Sequence, residues 1–322
     1  MRVAAPFAVV VIACLSSPHY GIRPRAGLFD EAILLREVER RTHEIRHTCG
    51  DVNLDDHYDT SKQLPDGDVT PYLERFGALS ERARASVRCD LDHRYGPHVR
   101  ETIDFFPAER PGAPLFVWVH GGYWRRMSKD ASSFVAPALV AAGAAVAVVN
   151  YPLAPGPTLD EIVASVRSAH AYALEHVTSL GADPRNVFVG GHSVGAQLAA
   201  MIAAAFEVRG LFALSGLYDL EPLRATHINE WIAMDAATAI RNGPIHNPPL
   251  GSPQLVVAAG GDEQPAFHAQ QRAYVDAWRA WGHAYREIDA TGHNHFTIAL
   301  ELANPTSPLT RALVEMMSLS PP

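Results

Sequence analysis

The stretch Val187-Phe-Val-Gly-Gly-His-Ser193-Val-Gly195-Ala-Gln-Leu-Ala-Ala-Met-Ile-Ala-Ala204 decides the fold. An apolar run ends in paired glycines, a serine follows, and a small-residue helical pattern begins at once. Gly191-His192-Ser193-Val194-Gly195 fits G-x-S-x-G, the nucleophile-elbow pattern. A serine in so tight a strand-to-helix turn needs flanks without a Cβ, because a side chain there would collide with neighbouring backbone. The turn lifts the Ser193 hydroxyl above the sheet edge and aims the positive end of a helix at any oxyanion forming beside it. Five residues with three fixed positions recur by chance as an ordinary Gly-Ser turn, so the flanking strand and helix carry the weight.

Outward from this elbow the chain alternates. Leu115–Val119, Ala145–Asn150, Val187–Val189, Leu211–Leu214, Leu255–Ala259 and Ala284–Ile288 read as strands. Ala131–Ala142, Leu159–Thr178, Ala196–Phe206, Ala266–Trp281 and Leu309–Met317 read as helices between and after them. This order implies an α/β fold, a mostly parallel central sheet with helices on both faces. Ahead of it, Arg88–Pro97 and Val99–Phe106 form a predicted antiparallel hairpin around Tyr95-Gly96-Pro97, extending one edge. Asp51–Gly77, rich in Asp, Pro and Gly, reads as loop. Residues 217–253 break the alternation with Trp231, Met234 and several prolines, and are expected to form a cap.

The 322 residues suit one large domain, 48% hydrophobic and 19% charged. A net charge of −8 without a basic block excludes nucleic acid as the expected partner. Three scattered cysteines, Cys14, Cys49 and Cys89, do not make a disulfide framework. Residues 1–50 stand apart from the domain expected over 51–322. Met1-Arg2 and the apolar Val3–Leu15 read as a signal-like segment or as an extension from an upstream start. The apolar run is too short to span a membrane. The expected location is cytoplasmic, or exported if that segment is a working signal peptide.

In an open α/β sheet, ligands bind at the carboxyl ends of the strands. Four strand ends here carry chemistry. His120-Gly121-Gly122-Tyr123-Trp124 follows Leu115–Val119, and its glycines bring backbone N–H groups close enough to form half of an oxyanion hole. The N–H of Val194, the residue after the serine, supplies the other half. Tyr123 and Trp124 are either core aromatics or a stacking surface for an aromatic substrate. The elbow is the second strand end. Gly260-Gly261-Asp262-Glu263 is the third and offers two candidate acids, with the spacing slightly favouring Glu263. Gly292-His293-Asn294-His295-Phe296 is the fourth and offers two candidate bases, of which His295, beside Phe296 at the mouth of a helix, is preferred. The base must take the Ser193 proton and later return it to the leaving group.

With these residues in view, the chain from Asp55 onward resembles the arylformamidase (kynurenine formamidase) branch of the α/β-hydrolases, within the esterase and lipase superfamily. The resemblance rests on His120-Gly-Gly-Tyr-Trp124, Ser128-Lys-Asp-Ala-Ser132, Tyr151-Pro-Leu-Ala-Pro155, Gly191–Ala200, Ser215-Gly-Leu-Tyr-Asp-Leu-Glu-Pro222 and Asn294-His-Phe296. It implies Ser193 as nucleophile, His295 as base and Glu263 as acid, four residues before Phe267, with Asp262 as the rival acid. It implies Gly121, Gly122 and Val194 as the oxyanion hole, and Tyr123, Trp124 and Tyr218 around the leaving group. Val194 stands where the family usually has Ala. The implied reaction is hydrolysis of N-formylkynurenine to kynurenine and formate in tryptophan catabolism. It needs a small-molecule substrate and neither metal nor cofactor; a homodimer stays open.

Three rivals have their own residues or logic. A general carboxylesterase uses the same triad. A zinc hydrolase would use His43-Glu44-Ile45-Arg46-His47, a formal H-E-x-x-H on the helix read over Asp30–Thr48. Arg40, Arg41 and Arg46 oppose a dication there, and Asn53 stands where an extended motif needs a ligand. A non-catalytic binding relative would require a broken triad.

Overall fold

The computed structural model describes residues 53–320. The H-E-x-x-H helix and the apolar segment near the N-terminus lie outside the described residues.

Eight strands form one sheet: β1 (Asp90–Arg94), β2 (Thr102–Phe106), β3 (Ala113–Val119), β4 (Ala145–Val149), β5 (Ala182–His192), β6 (Gly210–Leu214), β7 (Gln254–Ala258) and β8 (Tyr285–Glu287). Their spatial order is β1-β2-β4-β3-β5-β6-β7-β8. β1 pairs antiparallel with β2, and β2 antiparallel with β4, while β4, β3, β5, β6, β7 and β8 run parallel. The hairpin expected at one edge is therefore present, and the sheet is mixed as the alternation implied.

Every residue of the parallel strands β3, β4 and β6 is buried, which is why they read as unbroken apolar runs rather than alternating ones; β2 is buried too, but carries Thr102 and Asp104. Alternate residues feed different layers. Leu115, Val117 and Val119 join the core on one face; Phe116 and Trp118 join the core on the other. The first face is covered by α4 (Leu159–His176), α5 (Val194–Ala203) and α8 (Pro265–Ala280), the second by α2 (Thr70–Ser86), α3 (Ala136–Ala142) and α10 (Pro308–Met316). All ten residues of α5 are buried, packed against the sheet and α4, and apart from Gln197 they are small or apolar. α4 starts at a capping box: the Thr158 hydroxyl accepts the Glu161 N–H, and the Glu161 carboxylate accepts the Thr158 N–H at 2.7 Å.

The segment expected as loop up to Gly77 is partly helical. α1 (Leu54–Tyr58) and a 3-10 turn (Thr60–Gln63) precede α2, which starts at Thr70 with Pro71 in its first turn. A proline there is pre-organised for a helix, and Phe76, Ser80 and Ala83 recur on one buried face. Residues 217–253 form short helices α6 (Asn229–Ile232) and α7 (Ala236–Asn242) with 3-10 turns around them. Two four- and nine-residue helices complete the chain order: α9 (Thr297–Leu300) lies between β8 and α10. Among the described residues, no helix is long and apolar enough to cross a membrane.

Candidate active site

β5 delivers Ser193 to the carboxyl end of the sheet. Ser193 has φ +59° and ψ −128°, a conformation that a serine adopts only when its surroundings impose it. Its N–H donates to the Leu214 carbonyl at 2.8 Å, pinning the elbow to β6. A Cβ on Gly191 would collide with the Gly195 carbonyl, and one on Gly195 with the Val119 carbonyl oxygen. Both glycines are thus required by backbone packed against backbone. α5 begins at Val194, so its free N–H groups open beside Ser193.

The loop after β3 lies against this elbow. A Cβ on Gly121 would sit 2.9 Å from the His192 carbonyl oxygen and 3.1 Å from the Ser193 Cβ. Gly122 has φ +108°, and a Cβ there would strike the Arg126 carbonyl. The loop is held from behind. The His120 ring stacks on Tyr151 at 4.3 Å and donates from Nδ1 to the Gly121 carbonyl at 2.8 Å, while the Tyr151 hydroxyl donates to the His120 carbonyl at 2.9 Å. Gly121 is thus packed against the elbow, Gly122 follows it in the same loop, and Val194 is the first residue of α5 after Ser193.

Glu263 and His295 meet in the core of the site. His295 Nδ1 and Glu263 Oε2 are 2.6 Å apart, both side chains almost fully buried. The other oxygen, Oε1, accepts the Gly260 N–H at 2.6 Å and the Ser215 hydroxyl. Burial alone would push this carboxyl up, but the His295 imidazole, the Ser215 hydroxyl and the Gly260 N–H outweigh it and hold Glu263 below the ordinary glutamate range. Asp262 is exposed; its backbone N–H donates to the His293 carbonyl at 3.0 Å. His293 is half-buried and stays outside the Glu263 pair. His295 is tied to the elbow through His192, whose Nε2 donates to the His295 carbonyl at 2.7 Å, the two rings being 4.7 Å apart.

A cavity of ≈ 290 Å³ opens beside Gly122 and His192. Tyr58, Leu73, Phe76, Tyr123, Trp231 and Phe296 supply its apolar wall, and Asp59, Arg125 and Arg126 its charged groups. The Arg125 guanidinium lies 4.5 Å over the Trp231 ring. Tyr123 lines the cavity and donates its hydroxyl to the Tyr58 carbonyl. Trp124 and Tyr218 do not line it. Trp124 is fully buried, its Nε1 donating to Gln197 Oε1 at 3.0 Å, and Tyr218 is fully buried and stacked on Tyr274 at 4.1 Å. Of the three aromatics expected around a leaving group, Tyr123 lines this cavity, while Trp124 and Tyr218 are packed in the core. The sequence reading missed Ser215 and the wall contributed by α1 and α2. The apolar spacing of Leu73, Phe76 and Ala83 is the signal that would have found that wall.

This geometry agrees with what the chain is similar to. The family described as having the alpha/beta hydrolase fold matches residues 116–298. The kynurenine formamidase of Danio rerio is 30% identical over 286 residues, covering 83% of this chain and 96% of that protein. The chain belongs to the α/β-hydrolases, in their arylformamidase-like branch. The kynurenine formamidase of Salmo salar is 32% identical over 257 residues, 75% of this chain and 86% of that one. A crystal structure named as that of a thioesterase from Silicibacter sp. tm1040 superposes with a TM-score of 0.74 at 30% identity, covering 82% of this chain and 98% of that chain. The protein is a hydrolase. The hydrolase keeps its candidate triad at three strand ends, the arrangement that the chain order Ser, acid, His implies for this family.

Proposed function

We propose that this hydrolase cleaves aryl formamides through Ser193, His295 and Glu263, and that N-formylkynurenine is its substrate. The observation that carries this reading is the buried 2.6 Å pair of Glu263 and His295, tied through His192 to the elbow whose serine is held at φ +59°. His295 would take the Ser193 proton as Oγ attacks the formyl carbon. The oxyanion would rest on backbone N–H groups at Gly122 and Val194, donors of a kind worth about 3 kcal/mol each. His295, now protonated and steadied by Glu263, would pass the proton to the aniline nitrogen as the C–N bond breaks. Water, activated by the same imidazole, would release formate from Ser193.

The cavity supports the leaving group named. Tyr58, Tyr123, Trp231 and Phe296 suit an aryl ketone, and Arg125 and Asp59 suit the carboxylate and ammonium of an amino acid. A general carboxylesterase is the second reading, favoured by the thioesterase name of the similar crystal structure. Turnover of N-formylkynurenine against p-nitrophenyl acetate, with Ser193→Ala as control, separates the two. The formamidase reading expects a higher kcat/KM on the formamide; a large preference for the ester overturns it.

A further inference from the structure

The residue before Ser193 lines the cavity and carries an imidazole that the candidate triad does not use. His192 is 5% exposed and is one of the residues that line the cavity, as Gly122 is. Its Nε2 faces the His295 backbone carbonyl at 2.7 Å. A carbonyl oxygen only accepts, so the hydrogen is on Nε2. Burial, with the His295 ring acting in the same direction, holds this imidazole down to about 3, so no second proton is present at neutral pH. A neutral ring with its hydrogen on Nε2 carries a lone pair on Nδ1. That atom has no hydrogen-bond partner among the described residues. It lies 3.3 Å from where a Cβ on Gly121 would be, at the seam between the glycine loop and the elbow. The backbone thus fixes a bare acceptor beside the candidate nucleophile.

We propose that His192 Nδ1 is a specificity-determining acceptor for the N–H of the scissile formamide, a role that rests on the formamidase reading above. In a planar amide the nitrogen lone pair is delocalised into the carbonyl. Attack by Ser193 Oγ ends that delocalisation, and the nitrogen becomes pyramidal. Its lone pair then faces the His295 proton, and its own hydrogen turns into a site from which water is largely excluded. Nδ1 of His192 receives that hydrogen. An ester oxygen has none to offer and sets a lone pair against a lone pair. The same atom therefore favours the formamide and disfavours the ester.

The test uses formanilide and phenyl formate, which share their formyl and phenyl groups and differ only in N–H against O. His192→Gln keeps an N–H near the Nε2 position and has no acceptor at the Nδ1 position. His192→Asn sets a carbonyl oxygen near the Nδ1 position and does not reach the His295 carbonyl. The ratio of kcat/KM for formanilide to that for phenyl formate is expected to fall about 10- to 100-fold in His192→Gln and to stay within about threefold in His192→Asn, even where both rates decline. An unchanged ratio in His192→Gln, or equal falls in both variants, overturns the role of His192 and leaves the formamidase reading standing. Wild-type enzyme that cleaves phenyl formate and no formanilide overturns both. N-methylformanilide needs no variant: lacking the hydrogen, it is expected to react at least about tenfold more slowly than formanilide with wild-type enzyme. Equal rates would overturn the proposal.

Discussion

Glu263 Oε2 lies 2.6 Å from His295 Nδ1, while Asp262, its neighbour in the chain, is exposed. The turn decides between them. Gly260 donates its N–H to Glu263 Oε1 and the Ser215 hydroxyl donates to the same oxygen, so the buried carboxylate has partners on both sides.

Glu263→Gln is expected to lower kcat about 10³- to 10⁴-fold, because an amide no longer stabilises the imidazolium that forms on His295. Asp262→Asn is expected to leave kcat within about twofold, since an exposed charge is screened by solvent. Steady-state kinetics of the two variants on one substrate check this; a larger loss in Asp262→Asn would contradict the assignment of the acid.

The strand-turn-helix at Ser193 and the mostly parallel sheet with its edge hairpin were legible in the sequence because they rest on steric rules that leave marks. Gly191 and Gly195 touch backbone, and the parallel strands β3 and β4, buried on both faces, are apolar throughout. The choice of acid was only half legible, because adjacent carboxylates differ in surroundings and not in chemistry. The cavity wall was least legible. Tyr123 and Trp124 both sit at positive φ, +51° and +56°, so the loop reverses direction between residues and no periodicity reports which side chain meets the cavity. α2 was hidden by composition: Pro65, Gly67, Pro71 and Gly77 suggest a loop, although Pro71 sits in the first helical turn, where it fits.

The different fates of those two aromatics give a second expectation. Trp124→Ala removes a fully buried side chain and its hydrogen bond to Gln197, at a cost of about 3–5 kcal/mol in stability. Tyr123→Ala removes a cavity wall and is expected to raise KM for an aromatic formamide up to about tenfold with kcat less affected. Denaturant unfolding and Michaelis kinetics of both variants separate the roles. A Trp124→Ala enzyme of normal stability and raised KM would place that side chain against the substrate instead.

His170 is expected to make the fold acid-sensitive. Its ring is fully buried against Phe206, and neither nitrogen has a hydrogen-bond partner among the described residues. Burial lowers its pKa from 6.5 to about 4. Above pH 6.5 the ring is neutral folded and unfolded, and contributes no pH dependence. As pH falls from 6.5 toward 4, the unfolded chain takes up a proton that the folded chain refuses, so stability drops, levelling off below about 4. The loss between pH 7.5 and pH 5 is about 2 kcal/mol from this ring. Urea unfolding at the two pH values should show His170→Leu with a difference smaller by that amount; an unchanged difference would show that the ring finds a partner.

The central claim is that Ser193 is made nucleophilic by its place in the fold. A fluorophosphonate reacts with such a serine and leaves a stable adduct, and peptide mass spectrometry locates it. The expected result is one adduct on Ser193, formed in step with loss of formamide hydrolysis and much slower to form in Glu263→Gln. Hydrolysis that continues undiminished with Ser193 fully modified, or that is lost with the adduct on a different residue, would contradict it.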